Sequence, residues 1–453
     1  MRREQPRSVP LTRARRLPDR LIVIGDLHLG EGAEYHRGRA SGEQFFRDRD
    51  FQIWLHRLTW RAQRRGRRLE LALNGDTFDF LRVLRLPETH ADRLRWRRLL
   101  GAAGVRPTHM EFGLRERVFG LGTDECACVW KLAVIAAAHR PVFRALAAFC
   151  RAGHTLTLIG GNHDPEWAWP GVRRAFRLLL RREGSGKLRP GQVGFRSGTL
   201  RRENVHIEHG HRVDWVTYAE RDFIGRAPVR LRLAFGSLVT RYVLNALERR
   251  IPPIGSVAPS ERLVEMLRRH PWRMLPSLAA SIMRAIPLIG LRGWRHCFRR
   301  MLHWWPARVS MTLGAAFIVV TPHAPPAGTR FMIALVLGLA LPVAGFVTHH
   351  ILAQTNSAAL AARVRRHARQ VARQLRAPAP GAPRYVVFGH THRCEARRWS
   401  GERRTVIYLN PGDWGAPENA ARSGARTPCF VWLARRGRLY VRHRLLSLDA
   451  VAR

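Results

Sequence analysis

The sequence predicts a layered α/β fold with a mixed sheet system, interrupted by a large, mainly helical apolar insertion. Three observations predict it. Short apolar runs at Leu21 to Gly25, Leu69 to Leu73 and Thr155 to Ile159 each end in a polar, glycine-containing turn that delivers charged or amide side chains. Core strands whose C-terminal loops build a site have this pattern. Alanine- and leucine-rich stretches with helical spacing fill the gaps between the runs, and residues 212–383 then break the alternation with a block of different character.

In chain order, the first twenty residues are rich in arginine and proline, and the apolar run that follows is far too short for a signal-peptide core. The pair Arg15 and Arg16 therefore precedes a strand rather than a leader. Helices are expected over Glu43 to Arg61 and over Trp130 to Phe149, the second followed by Gly153. The Asp124, Glu125, Cys126 and Cys128 cluster just before it reads as a helix start. Later strands are expected at Asn204 to Glu208, Tyr385 to Phe388, Thr405 to Leu409, Phe430 to Leu433 and Leu439 to His443, close enough in sequence for antiparallel or mixed pairing. A helical stretch, Ala358 to Arg376, and a proline-rich linker, Ala377 to Pro383, lead back into the core. The chain thus divides into residues 18–211, an insertion over 212–383, and residues 384–446 that resume the first domain.

A length of 453 residues suits one catalytic domain with a substantial addition. The net charge of +46 would suit nucleic acid or an anionic membrane, but of 79 basic residues only Lys131 and Lys187 are lysines. Such a bias toward arginine also arises from base composition, so charge alone assigns no partner. The six cysteines contain one close pair and no second, so neither a structural zinc site nor a disulfide framework is indicated, and a reducing compartment is the simpler expectation.

Within the insertion, Met274, Leu275, Leu278, Ile282, Met283, Ile286, Leu288 and Ile289 fall at spacings of three and four on one helical face, with Arg273 and Arg284 available to the other. Trp272, Trp294, Trp304 and Trp305 are interleaved with Arg292, Arg295, Arg299, Arg300 and Arg308. Basic helices carrying tryptophan suit the headgroup region of a bilayer, although helices packed on the catalytic domain or on a second subunit give the same pattern. Val309 to Val320 and Phe331 to Thr348 are uncharged and largely apolar, and the turn between them contains Pro322, Pro325 and Pro326. A hairpin over 309–348 is expected, whether it spans the bilayer, lies on its surface or is buried in a soluble fold. Arginines outside both arms place the flanks on the cytoplasmic face of the cell membrane, with an anionic membrane surface as partner.

Five motifs follow apolar runs: Gly25-Asp26-Leu27-His28, Asn74-Gly75-Asp76, Gly161-Asn162-His163-Asp164, His209-Gly210-His211 and Gly389-His390-Thr391-His392. Carboxylates that offset charge, completed by neutral imidazoles, are what a pair of divalent ions requires. Loop-capping aspartates and ordinary histidines explain any one motif, but not the ordered set. Together the motifs resemble the calcineurin-like metallophosphoesterase family over residues 20–215 and 384–443. The resemblance implies a sandwich of two mixed sheets flanked by helices and hydrolysis of a phosphoester or pyrophosphate with two divalent metal ions. Asp26, His28 and His392 would bind one ion, Asn162, His209 and His390 the other, and Asp76 would bridge them. Mn2+ suits such ligands, with Zn2+, Fe or a mixed pair as alternatives. The resemblance also places His163 beside the leaving group, with Asp164 holding its ring. Asp79 is expected to hydrogen-bond a histidine behind the metal shell. His211 is expected to face substrate or support a metal loop, and Asn410 to orient the loops, reach phosphate or form an Asx turn. Gly75, Gly161 and Gly210 mark sharp turns beside the ions.

Within that family, the Asp-Leu-His-Leu-Gly opening, the Gly-Asp-x-Phe-Asp segment and the insertion between His209 and His390 resemble the UDP-2,3-diacylglucosamine hydrolase branch. That implies a nucleotide-linked, acylated substrate, to which an apolar insertion would contribute ~0.8 kcal/mol per buried methylene. Two features depart from the branch: His163 stands where its familiar members have arginine, and the insertion is longer than theirs. The competing enzyme reading is a broader membrane-associated phosphatase or phosphodiesterase acting on a phospholipid, isoprenoid phosphate or nucleotide-linked lipid. A nuclease could use the arginines on a phosphate backbone, but the apolar hairpin has no role in that account, which disfavours nucleic acid as partner. A membrane scaffold on a degenerate esterase domain is opposed by the presence of every expected ligand type. Nothing in the sequence sets the oligomeric state.

Overall fold

The computed structural model describes residues 18–32, 43–108, 111–184, 188–214, 216–218, 223–224, 229–245, 357–375, 383–401, 404–415 and 428–448, with isolated positions between 269 and 333. The expected hairpin over 309–348 and the Trp272 to Trp305 region lie, apart from such positions, outside the described residues.

The first apolar runs form β1 (Arg20–Ile24), β2 (Leu69–Asn74) and β3 (Thr155–Ile159), which pair in parallel and are extended by a parallel β4 (Val193–Arg196). A second sheet begins with the antiparallel pair β5 (Thr199–Arg202) and β6 (Val205–Glu208). A short ribbon, β7 (Phe223–Ile224) with β8 (Arg230–Leu231), stands apart. The second sheet continues through β9 (Arg384–Phe388), parallel to β6, and ends with β10 (Cys394–Gly401) and β11 (Arg404–Pro411) in the order β10-β11-β9-β6-β5. Two C-terminal strands, β12 (Cys429–Arg436) and β13 (Leu439–Ser447), return antiparallel to the first sheet, which reads β13-β12-β1-β2-β3-β4.

Alternation along β1 explains the layering. Leu21 and Val23 face Leu200, Val205, Ile207, Tyr385 and Val387 of the second sheet in one buried cluster. Ile22 and Ile24 face the opposite way, into a helical layer that includes Phe51, Trp54, Trp130 and Phe143. A strand buried on both faces must be apolar throughout, hence its unbroken run. That outer layer comprises α1 (Asp48–Arg64), α2 (His90–Ala102), α4 (Glu125–Ala138), α5 (Arg140–Arg151) and α6 (Pro170–Gly184), while the short α3 (Leu114–Phe119) packs its Phe119 on Tyr242 and Val243 in a separate cluster. Beyond the ribbon, α7 (Phe235–Val239) leads into a single π-helical turn. The far face of the second sheet is covered by α8 (Ser357–Gln374), whose Leu360, Val364, Ala368 and Val371 pack on Val386, Phe388 and Tyr408. The result is the expected calcineurin-like sandwich of two mixed sheets flanked by helices.

Two local expectations are corrected, and one strand was not expected. The stretch Trp130 to Phe149 is not one helix: it breaks at His139, and the axes of α4 and α5 differ by 93°. Pro141 lacks the N–H that would continue α4, so the chain restarts with proline in the first turn. Glu43 does not open α1; its carboxylate accepts the backbone N–H groups of Gly30, Gly32, Gln44 and Phe45, and the helix begins only at Asp48. The polar segment after His392 becomes β10, a strand at a sheet edge, where alternating burial and strong apolar character are not required. Among the described residues, no single helix is long and apolar enough to cross a membrane. Together α4 and α5 have suitable composition, but both contribute many side chains to the main core.

Candidate metal centre

Every motif carrying a candidate ligand sits just past the C-terminal end of a strand in one of the two parallel groups, β1, β2 and β3 or β6 and β9. Open α/β sheets bind ligands at this edge, because there the chain must leave the hydrogen-bond ladder and turn. The turns are sharp. Asp26, His28, Asp76, His390 and His392 have φ of 53°, 53°, 46°, 67° and 55°, and Glu203 is the other described non-glycine residue with positive φ. Left-handed backbone at such residues costs ~1–3 kcal/mol each and persists where the surroundings enforce it.

The enforcement is visible. Asp26 N–H donates to the Gly75 carbonyl at 3.2 Å and His28 N–H to the Asp76 carbonyl at 2.9 Å, which locks the β1 and β2 loops together. The Asp26 carboxylate accepts the His390 N–H at 3.2 Å, and Asp76 Oδ1 accepts the His163 N–H at 2.9 Å. Two glycines are required by close approach. A Cβ on Gly161 would lie 2.2 Å from Asp76 Oδ1, and one on Gly75 would lie 2.5 Å from the His209 ring in addition to straining a φ of 77°.

Three overlapping groups of potential ligands result: Asp26, His28 and His392; His28, Asp76 and His163; and Asp76, His209 and His390. Within each, the ligand atoms lie within 4.8 Å of one another. Asp76 belongs to two groups and so stands between the Asp26 side and the His209 side. Asn162 lies between Gly161 and His163, both of which abut Asp76. The polar atoms left over fit metal ions. Both ring nitrogens of His28, Oδ1 of Asn162 and Nε2 of His209 are buried without a hydrogen-bond partner, an expensive condition unless a cation completes them. His209 Nε2 is 3.1 Å from Asp76 Oδ2, an ion pair whose two atoms could both turn to a cation placed between them.

The electrostatics agree. Burial works against charge on His209, but Asp76 and Asp26 beside it push it up to about 10. Burial likewise opposes charge on His163 and His392, yet Asp79 and Asp76 raise the first to about 9, and Asp413 and Asp26 raise the second to about 9. Asp76 is held well below the carboxylate range: burial opposes ionisation, and His209 and His163 overcome it. Acidic groups thus draw protons onto the imidazoles, and divalent cations can supply that positive charge instead.

The supporting residues are arranged differently from expectation. His163 does not take Asp164 as its partner: its Nδ1 hydrogen-bonds Asp79 Oδ2 at 3.0 Å. Asp164 instead accepts the backbone N–H groups of Gly161 at 2.6 Å and Thr77 at 3.0 Å, tying the β2 and β3 loops together. Asp79 also lies 3.7 Å from His28 Nδ1, too far for a hydrogen bond but close enough for Coulomb attraction. Asn410 braces the Gly-His-Thr-His loop through Gly389 O at 3.2 Å and Thr391 Oγ1 at 2.9 Å, while its Oδ1 accepts Gly412 N–H in an Asx turn. His211 is buried with its ring centroid 5.4 Å from that of His209. Burial and the neighbouring His209 push it down to about 3.

Two supports were not expected. Asp413 Oδ2 lies 3.0 Å from His392 Nδ1, fixing a ring that is otherwise half exposed. The Asn410 to Trp414 segment carried that signal, since a carboxylate follows the turn, but the pairing depends on where β11 ends. His209 is oriented by a backbone group, Nδ1 donating to the Asn74 carbonyl at 2.9 Å, which no residue type could signal.

Fold and site together define a calcineurin-like two-sheet sandwich with clustered histidines and aspartates able to hold a dinuclear metal centre, as metal-dependent hydrolase chemistry requires. No family model matches the chain, and no curated protein matches it significantly.

Proposed function

We propose that the chain is a metallophosphoesterase that hydrolyses a phosphoester or pyrophosphate with two divalent ions, the first held by Asp26, His28 and His392, the second by Asn162, His209 and His390, with Asp76 shared. The observation that carries this reading is the membership of Asp76 in two histidine-containing ligand groups brought from strand ends of both sheets. Such an ion pair supplies charge neutralisation at a phosphoryl group and activation of water. Mn2+ is the preferred metal for this mixed nitrogen and oxygen set.

The chain's own residues divide the remaining work. With Nδ1 of His163 engaged by Asp79, Nε2 is the nitrogen that gives a proton to the departing oxygen. Asp79 holds the ring and favours its charged form. Asp164 and Asn410 fix the loops that carry Asn162 and His390.

For substrate we favour a lipid-linked phosphate, with UDP-2,3-diacylglucosamine the specific candidate, processed at the cytoplasmic face of a membrane to which residues 309–348 attach the chain. The uncharged arm Phe331 to Thr348 and the basic, tryptophan-rich region before it support this. A metal-reconstituted screen of UDP-diacylglucosamine, other lipid phosphates, simple nucleotides and short DNA, with products assigned by mass spectrometry, tests both levels. Turnover of acylated substrates far above the rest is expected. Hydrolysis of DNA alone would overturn the lipid assignment, and no metal-dependent turnover of any substrate would overturn the enzyme. Replacing 309–348 by a short polar connector should release the protein from vesicles; retention after a high-salt wash would remove the hairpin as principal anchor.

A further inference from the structure

Beside the Asp76, His209 and His390 group lies a cavity of about 230 Å3, lined by Asn162, His211, Arg212, Tyr218 and Arg232 among others. Resting on the phosphoesterase reading, we propose that this cavity receives a second oxyanion of the substrate, bound by Arg212 and Arg232, so that the preferred substrate carries a phosphate or carboxylate beyond the phosphoryl group that reacts.

Position is the first argument. Asn162 and His211 form the boundary between cavity and metal centre, and both are more than nine-tenths buried, at 9 % and 8 % exposure. Asn162 Oδ1, the atom assigned above to the second ion, and His211 Nδ1 have no hydrogen-bond partner among the described residues, so the metal side of the cavity is polar and only His211 is left open to the substrate. A substrate seated at the metals would therefore have polar groups continuing into the cavity.

Charge is the second. Two arginines, Arg212 and Arg232, line the space and neither has a carboxylate partner among the described residues. Among the described residues the Arg212 guanidinium donates to the Ser197 carbonyl, at 3.5 Å, and lies over the Tyr218 ring at 5.9 Å. Among the described residues of the lining the one acidic side chain is Asp164, which already accepts the Gly161 and Thr77 N–H groups. A pair of arginines with unclaimed fork donors recognises the planar or tetrahedral oxygens of carboxylate and phosphate.

Size is the third. The cavity is below the ~300–1,000 Å3 of sites that enclose whole drug-sized ligands, so it suits one charged group and not a nucleotide or an acyl chain. Arg212, Tyr218, Arg232 and Ser237 all belong to the opening stretch of the block 212–383, so the selectivity would reside in the start of the insertion.

The test uses the full, Mn2+-loaded chain and three p-nitrophenyl diesters that differ only at the end of the second alcohol: hydroxyl, carboxylate or phosphate. The KM of the phosphate-bearing diester should be about tenfold below that of the hydroxyl diester, as a charge-assisted contact warrants, with the carboxylate between or equal. Arg212→Gln and Arg232→Gln should each shrink the KM ratio severalfold and together abolish it, while Arg212→Lys and Arg232→Lys should retain part of it. Circular dichroism and metal content confirm that each variant is folded and loaded. Calorimetric binding of methylenediphosphonate, which is not hydrolysed, supplies a second readout and should weaken about tenfold in the double variant. If no diester is turned over, the phosphoesterase reading fails while calorimetry still judges the cavity. Equal KM for the three diesters, or diphosphonate binding unchanged in the double variant, overturns the proposal.

Discussion

His139 joins the corner between α4 and α5 to the loop that follows the candidate ligand His28. Its Nε2 lies 3.0 Å from Glu43 Oε2 and its Nδ1 3.1 Å from Asp48 Oδ1, and Glu43 in turn accepts the N–H groups of Gly30 and Gly32. Burial alone would depress the imidazole, but the two carboxylates dominate and raise it from 6.5 to about 9. The residue is only 2 % exposed, so solvent screens little of this. Each pH unit of displacement corresponds to about 1.4 kcal/mol, which makes the imidazolium worth about 3 kcal/mol. Because the folded value is raised, that contribution is complete below pH 6.5, declines as the unfolded chain alone loses its proton, and is gone above about pH 9. Urea unfolding of the metal-loaded protein and of His139→Gln, followed by tryptophan fluorescence at pH 6, 7.5 and 9.5, should give a stability difference that shrinks by about 3 kcal/mol across the series. Loading with metal keeps the histidines of the centre from titrating in the same window. A difference that is constant with pH would refute the imidazolium bridge.

Gly161→Ala should force the β2 and β3 loops apart at Asp76, since the new Cβ would stand 2.2 Å from its Oδ1 and 2.5 Å from its backbone nitrogen; a misplacement near an ångström costs on the order of a hundredfold in turnover, and wild-type rates with full metal loading would contradict the geometry. Asp79→Asn removes the largest influence holding His163 up at about 9. The alkaline limb of the pH–rate profile should then move toward neutrality by about one unit or more, and an unmoved limb would detach Asp79 from His163 or His163 from proton donation. Metal binding at pH 8 should release protons, because His209 and His392 stand at about 10 and about 9 without it. Affinity should accordingly fall as the pH falls below about 9. Calorimetry in two buffers of different ionisation enthalpy reads the released protons, and buffer-independent heats would show that these histidines are not displaced from proton to metal.

The strands and the ligand types could be read from the sequence because each depends on local chemistry. A strand buried on two faces is dominated by apolar residues, so β1 and β9 announce themselves, as do β2 and β3 although the buried, mutually hydrogen-bonded Glu70 and Thr157 interrupt their runs. Two ions need carboxylates and imidazoles, and those residues stand where the apolar runs stop. The edge strand β10 lacked this signal, because one solvent-facing side leaves charge permitted. The helix break at His139 was written in Pro141, but its 93° angle depends on what the two helices pack against.

The sequence by itself determined which residues are available for the site and the order in which the strand ends present them. Tertiary structure decided the partnerships: Asp79 with His163, Asp413 with His392, the Asn74 carbonyl with His209, and Asp164 with two backbone N–H groups. The physical reason is that a hydrogen bond acts over about 3 Å. At the ends of parallel strands, that distance is set by left-handed turns such as those at Asp76 and His390 and by the register between strands, not by separation along the chain.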